Sequence, residues 1–251
     1  MSKRLTFEIV NERFSNDVKR LMRTLHFTLS ERVVRCNIEE LDHLILVHKS
    51  YKYQATERGD AFYADCFFYM QCVLSSIRAL YLVFEKVRSN ENNAAWGALI
   101  DAYEYIDIAA KAGKQTKVPP GEDGVLGTTK IRDNIESIEL ALFPSHGKYN
   151  SPAFVESIGE CSVCKKSFVE CEHVEGEIYM GTLCRRINRA LLDVEHFALV
   201  DNPRDRRCIF TSRHDEAGNA IDCFTGEPLI EELDQSTYQG ILFYMGELDL
   251  H

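Results

Sequence analysis

The sequence predicts an α+β protein, with an α-helical bundle in its first half and a small, metal-stapled, mostly β domain in its second. Three observations predict it. Before residue 114, apolar residues recur at three-and-four spacing. Between Lys114 and Thr129, Gly, Pro, Lys and Asp interrupt that periodicity. Beyond residue 150, short apolar runs alternate with turn residues around a cluster of cysteines. The expected division is a bundle over 1–113, a linker with one short element over 114–149, and a β-rich domain over 150–251.

Residues 15–35 read as the first helix: Ser15 is a cap, and Val18, Leu21, Met22, Leu25, Leu29 and Val33 form one apolar stripe. Asn37 with Glu40 three residues later has the form of a capping box, so a second helix is expected there, burying Ile38, Leu41, Leu44 and Ile45. Asp60 opens a third, Ala61–Arg88, whose apolar residues surround nearly its whole circumference and therefore require neighbours on most sides. This segment has the length of a membrane span. Asp65, Gln71 and Arg78 interrupt it, and a buried charge in lipid is costly, so the reading is a core helix and no membrane. Asn93 caps a fourth helix with Trp96, Leu99, Ile100, Tyr103 and Ile106 facing inward and Gly113 as its stop. Lys130 to Phe143 reads equally as helix or strand. Strands are expected at Thr182–Asn188, Val194–Val200, Cys208–Thr211, Ala220–Phe224 and Thr237–Tyr244, with a hairpin turn at Glu216–Asn219. Cys36, Cys66 and Cys72 fall in helical surroundings and read as small buried apolar residues.

The chain has 251 residues and 45% hydrophobic content, ample for a core. Its net charge of −10 disfavours wholesale wrapping of nucleic acid or anionic membrane. The segment Met1–Glu8 lacks an apolar signal core and no N-x-S/T acceptor occurs, so the expected compartment is cytoplasmic. In a reducing compartment a close C-x-x-C cluster means metal more often than disulfides. Such a cluster is present: Cys161-Ser-Val-Cys164, then Cys171, His173 and Cys184. Two cysteines two residues apart grip one ion from a tight turn, and a tetrahedral Zn²⁺ needs two more ligands. The favoured set is Cys161, Cys164, Cys171 and His173. Spacing leaves open the replacement of Cys171 or His173 by Cys184. His173-Val174-Glu175 has the H-x-E form of zinc deaminases, but there C-x-x-C follows with a preceding proline and here it comes first. Sulfur-rich ligation also weakens the ion as a Lewis acid, so the expected zinc is structural and no catalytic residue is nominated. Phosphate-loop, dinucleotide, hydrolase-elbow and zincin signatures are absent from the sequence.

The run from Cys161 to Cys184, with Gly176, Tyr179 and Gly181 inside it and Val194–Val200 and Asn202-Pro203 after it, resembles a zinc-binding segment of bacteriophage, prophage and other bacterial proteins of unassigned function. Over about fifty residues the resemblance implies a zinc-stapled β module in a phage-related or antiviral defence setting, not an activity. The helices Phe62–Arg88 and Ala94–Ala112 loosely resemble HEPN-like bundles, some of which are RNases carrying an Arg, four to six residues and a His near a helix end. No such pair follows the fourth helix here; Arg20 and His26 have the spacing, in the first. The resemblance therefore implies a non-catalytic bundle. Two functional expectations follow. The leading one is a non-enzymatic zinc-binding accessory protein that binds a protein partner or a second copy through the helices. The alternative is an RNA-directed protein, with Arg20 and His26 in a nuclease role or Arg185, Arg186, Arg189, Arg206 and Arg207 contacting phosphate. Those arginines precede a stretch, Asp215–His251, that has no Lys or Arg, and the plainer expectation is that the two segments neutralise each other.

Overall fold

A computed structural model describes residues 6–27, 30–116, 127–143, 148–229, 239–241 and 248–250. It is α+β, with five helices followed by short strands. Two compact units divide the chain: Met1–Ile135 with Gly176–Cys184 and Leu250–His251, and Glu136–Glu175 with Arg185–Asp249.

The first unit is built on α1 (Phe7–Phe27), α2 (Glu31–Glu57), α3 (Ala61–Arg88) and α4 (Asn92–Thr116). The division falls within α5 (Thr128–Leu142), so Lys130–Phe143, undecided from the sequence, is helical up to Leu142. The first two helices are offset from expectation. Phe7, not Ser15, begins α1, and Ser30 stands at the N-cap of α2. Asn37 is consequently no cap. It lies inside α2, buried, and its amide donates to the Tyr81 hydroxyl at 3.0 Å, which in turn donates to the Leu21 carbonyl at 2.8 Å. A polar side chain at that point is satisfied by tertiary partners rather than by a helix end. Val33, expected in the stripe, is exposed, and Leu29 lies outside the described residues.

Asp60 caps α3 as expected, accepting the Tyr63 N–H at 3.3 Å. Seventeen of its 28 residues are buried, because α2, α4 and α1 all pack on it. Its apolar window is long enough to cross a membrane, yet 78% of that window is buried inside the fold. The turns on either side share one device. Gly59, at φ +71°, lets its own N–H reach the Thr56 carbonyl and that of Asp60 reach Ala55; Asn90, at φ 56°, repeats the pattern with Val87 and, through Glu91, with Lys86. These closures keep the α2–α3 and α3–α4 connections to a few residues. Gly113 does not stop α4, which continues to Thr116. Cys66 and Cys72 are buried as expected, whereas Cys36 is exposed.

The strands β3 (Ile178–Tyr179) and β4 (Thr182–Leu183) form a hairpin that belongs to this helical unit, not to the β domain where the sequence placed Thr182–Asn188. Met180 and Gly181 both have positive φ, the requirement of the tight turn that suits twisted strands. Asp65 holds it: one carboxylate oxygen accepts the Gly181 N–H at 2.6 Å, the other the Gln115 amide at 3.1 Å, and that amide also donates to the Ile178 carbonyl at 3.0 Å. Burial raises the Asp65 carboxyl above its ordinary range against the opposing pull of these donors. A Cβ on Gly181 would stand 2.8 Å from Lys52 Cγ and 2.9 Å from the Ala64 carbonyl.

In the second unit β1 (Tyr149–Glu156) and β6 (Leu191–Val200) make an antiparallel ribbon with two register shifts, and β2 (Glu160–Cys161) pairs with β5 (Arg186–Ile187). The final hairpin is β7 (Ser212–His214) with β8 (Ala220–Asp222). Its turn is where the sequence put it, because the Asp215 carboxylate accepts the N–H groups of Ala217 and Asn219. Cys208–Thr211 contributes isolated bridges at Ile209 and Phe210 rather than a strand. Phe143 and Phe224, edge to face at 5.8 Å, with Ile209, Cys208 and Cys223 form the small core. Most of the strand expected at Thr237–Tyr244 lies outside the described residues.

Candidate metal centre

A tight reversal of the chain brings the C-x-x-C pair together. Gly159 precedes it at φ +73°, and a Cβ there would meet the Ile187 carbonyl at 2.6 Å, so only glycine lets the chain entering β2 approach β5 this closely. Cys161 ends β2. Its N–H donates to the Lys166 carbonyl at 2.9 Å and its carbonyl accepts the Lys165 N–H at 2.8 Å, while Lys165 takes up φ 60° to complete the turn. Within the turn the Val163 N–H points at Cys161 Sγ, 3.4 Å away. The next loop returns Cys171 and His173 to the same point: Cys171 Sγ lies 3.7 Å from the His173 carbonyl, and Cys161 Sγ 3.8 Å from His173 Nδ1.

The donor atoms of Cys161, Cys164, Cys171 and His173 all lie within 4.8 Å of one another, a group that could hold a metal ion. Ligands at about 2.3 Å for sulfur and about 2.0 Å for nitrogen, arranged tetrahedrally, stand roughly 3.5 Å apart for a sulfur–nitrogen pair, so the Cys161–His173 separation of 3.8 Å is close to that edge. Cys184 is not among the converging donors. It is buried at the base of the β3–β4 hairpin, its N–H donating to the Glu177 carbonyl and its carbonyl accepting from Gly176, each at 2.7 Å.

The thiols of the group are electrostatically unequal. Burial pushes the Cys161 thiol up, but the N–H groups of Cys164 and Val163 and the neighbouring thiols pull it down further, to about 6. Burial and the nearby sulfurs move Cys171 in the opposite direction. Glu175, the acid of the H-x-E triplet, is paired with Arg186 at 3.2 Å.

The five arginines nominated for RNA each have a partner within the second unit. Arg186 bonds Glu175, Arg189 holds both oxygens of Glu156 at 3.0 and 2.9 Å, Arg206 pairs with Glu139, Arg207 with Asp205, and Arg185 donates to the Leu248 carbonyl. The carboxylates named here precede residue 214, and part of the acidic stretch after it lies outside the described residues. Arg20 pairs with Asp17 and Glu40 in the helical unit, and the side chain of His26 lies outside the described residues. The clasp of Asp65 and Gln115 escaped the sequence reading altogether, because Asp65 registers there only as a charge interrupting an apolar helix.

Compared with protein-family models, curated proteins and solved structures, the chain has no significant match.

Proposed function

We infer that the chain is a zinc-binding, non-enzymatic accessory protein in which one Zn²⁺, held by Cys161, Cys164, Cys171 and His173, is structural. The convergence of those four donors is the observation that carries the reading. Three thiolates and an imidazole are the ligands zinc takes in closed sites, and four of them leave no coordination position for substrate. A hard cation such as Mg²⁺ or Ca²⁺ would call for oxygen donors instead. Zinc therefore ties the Cys161 turn to the Cys171–His173 loop, a segment otherwise supported by only two-residue strands.

The partner in this reading is a protein, or a second copy, meeting the helical unit. Leu46 and Tyr53, both more than 60% exposed, lie seven residues apart on one face of α2 and supply apolar surface for it. In this reading the protein is cytoplasmic, and the resemblance of the cysteine segment supports an accessory role in a phage-related or antiviral defence locus. RNA recognition is disfavoured by the net charge and by the acids and carbonyl that engage the five arginines.

Elemental analysis of protein purified without added metal, together with molecular mass in solution, tests this reading. About one zinc per chain and either a dimer or a co-purifying protein are expected. Absence of zinc, or cleavage of labelled RNA that His26→Ala abolishes, would overturn it.

A further inference from the structure

At one end of the helical unit, the first turn of α1, the last turns of α2 and the first turns of α3 enclose a cavity of about 530 Å³. That is within the roughly 300–1,000 Å³ of small-molecule sites. Four rings line it, namely Phe7, Tyr51, Tyr63 and Phe67. They brace one another, with centroids 5.0 Å apart for Phe7 and Tyr63, 5.8 Å for Phe7 and Phe67, and 5.3 Å for Tyr51 and Phe67. Such walls are set before a ligand arrives and accept a flat ring against them.

The charged groups at the cavity are not equivalent. Asp60 is committed to capping α3 through the Tyr63 N–H. Glu8 is likewise turned back on the start of α1: hydrogen bonds from the Thr6 hydroxyl and from its own N–H hold its carboxyl below the usual range. Both acids thus answer the positive end of a helix. Arg58 is different. Its backbone N–H closes α2, but its exposed guanidinium has no hydrogen bond or ion pair among the described residues. Among the described residues lining the cavity, the one charge without a partner is therefore positive, and its planar fork fits a carboxylate or phosphate.

We propose that this cavity binds a small anion built on a flat ring, the ring lying on the aromatic walls and the carboxylate or phosphate on Arg58. Gln54, also on the lining and exposed, donates one amide N–H to the Ser50 hydroxyl at 3.3 Å and has its carbonyl oxygen and second N–H for polar groups on the ring edge. Neither the proposed zinc nor a protein partner is needed for this site.

Isothermal titration of the full-length chain separates the sources of such an anion. The probes are adenosine monophosphate for a nucleotide and 4-hydroxyphenylacetate for an aromatic carboxylate, with adenosine, 4-methylphenol and inorganic phosphate as controls. One or both anions should bind with a Kd below about 1 mM, at least about tenfold tighter than the uncharged ring or the phosphate alone. Arg58→Gln, at an exposed position, should weaken that binding by about tenfold, and Phe67→Leu, which keeps the volume apolar but removes a ring, should weaken it without altering the helical circular dichroism. Binding of only one anion identifies the class. The proposal is overturned if neither anion binds, if adenosine, 4-methylphenol or phosphate binds as tightly, or if Arg58→Gln changes nothing.

Discussion

The sharpest consequences concern single side chains. If Cys161, Cys164, Cys171 and His173 hold the ion, Cys161→Ser or His173→Ala should reduce zinc from about one per chain to near zero, while Cys184→Ser leaves it bound; elemental analysis of the three variants decides it. A second consequence concerns acid. His48 is buried in α2, its Nδ1 donates to the Leu44 carbonyl at 2.8 Å, and its Nε2 is buried without a partner. Burial depresses its pKa, outweighing the Leu44 carbonyl and Asp17, which favour the charged ring. The neutral ring is favoured by the fold, so His48 contributes stability that is complete above its unfolded value of about 6.5 and lost as pH falls through the lower folded value. Denaturant melts between pH 7 and pH 5 should show stability falling more steeply in the wild type than in His48→Met, the difference in slope being at most about 1.4 kcal/mol per pH unit. Equal slopes would refute this role. Cys161 and Cys164 were legible as a donor pair in the sequence because two cysteines two residues apart constrain each other through a single turn, whereas spacing left the choice among Cys171, His173 and Cys184 open. The role of Asp65 was not, since its partners Gly181 and Gln115 stand 116 and 50 residues away.

At the level of elements, the turns decide the architecture. Gly59 and Asn90 each place one residue in left-handed backbone so that the next helix can start within three residues. Gly59→Ala meets open space but keeps the strained φ, and should cost about 1–2 kcal/mol in chemical denaturation. Gly181→Ala should cost more. There the added methyl strikes the Ala64 carbonyl and the stem of Lys52 as well, adding about 1–3 kcal/mol of overpacking. A smaller effect at Gly181 than at Gly59 would mean that the hairpin is only loosely seated on the helices. The missed start of α2, Glu31 for Asn37, has a physical cause: a capping residue looks the same in sequence as an interior polar residue whose partner is remote, here Tyr81. Asp60 was read correctly because the acceptor and the N–H it satisfies are three residues apart.

For the whole molecule, the donor cluster and the helical core belong to separate compact units. Trp96, the single tryptophan, is fully buried in α4 and reports on the helical unit alone. Chelation at neutral pH should therefore lower the melting of the cysteine-bearing unit while the Trp96 emission and its unfolding midpoint stay within experimental error. Parallel loss of both signals would show that zinc supports the helices too. Scanning calorimetry with and without chelator, read beside tryptophan fluorescence, distinguishes the outcomes.

Features written in short-range chemistry were readable from residue order: a helical first half from the period of apolar residues, the all-round burial of Ala61–Arg88, the Glu216–Asn219 turn, and the C-x-x-C pair at the centre of the donor group. Tertiary structure alone decided where the β3–β4 hairpin belongs, which polar residues are clasps rather than caps, and which arginines are already answered by carboxylates. The physical reason is range. Periodicity and turn chemistry act over one to four residues and are visible in a window, whereas a buried carboxylate chooses its donors from the whole folded chain.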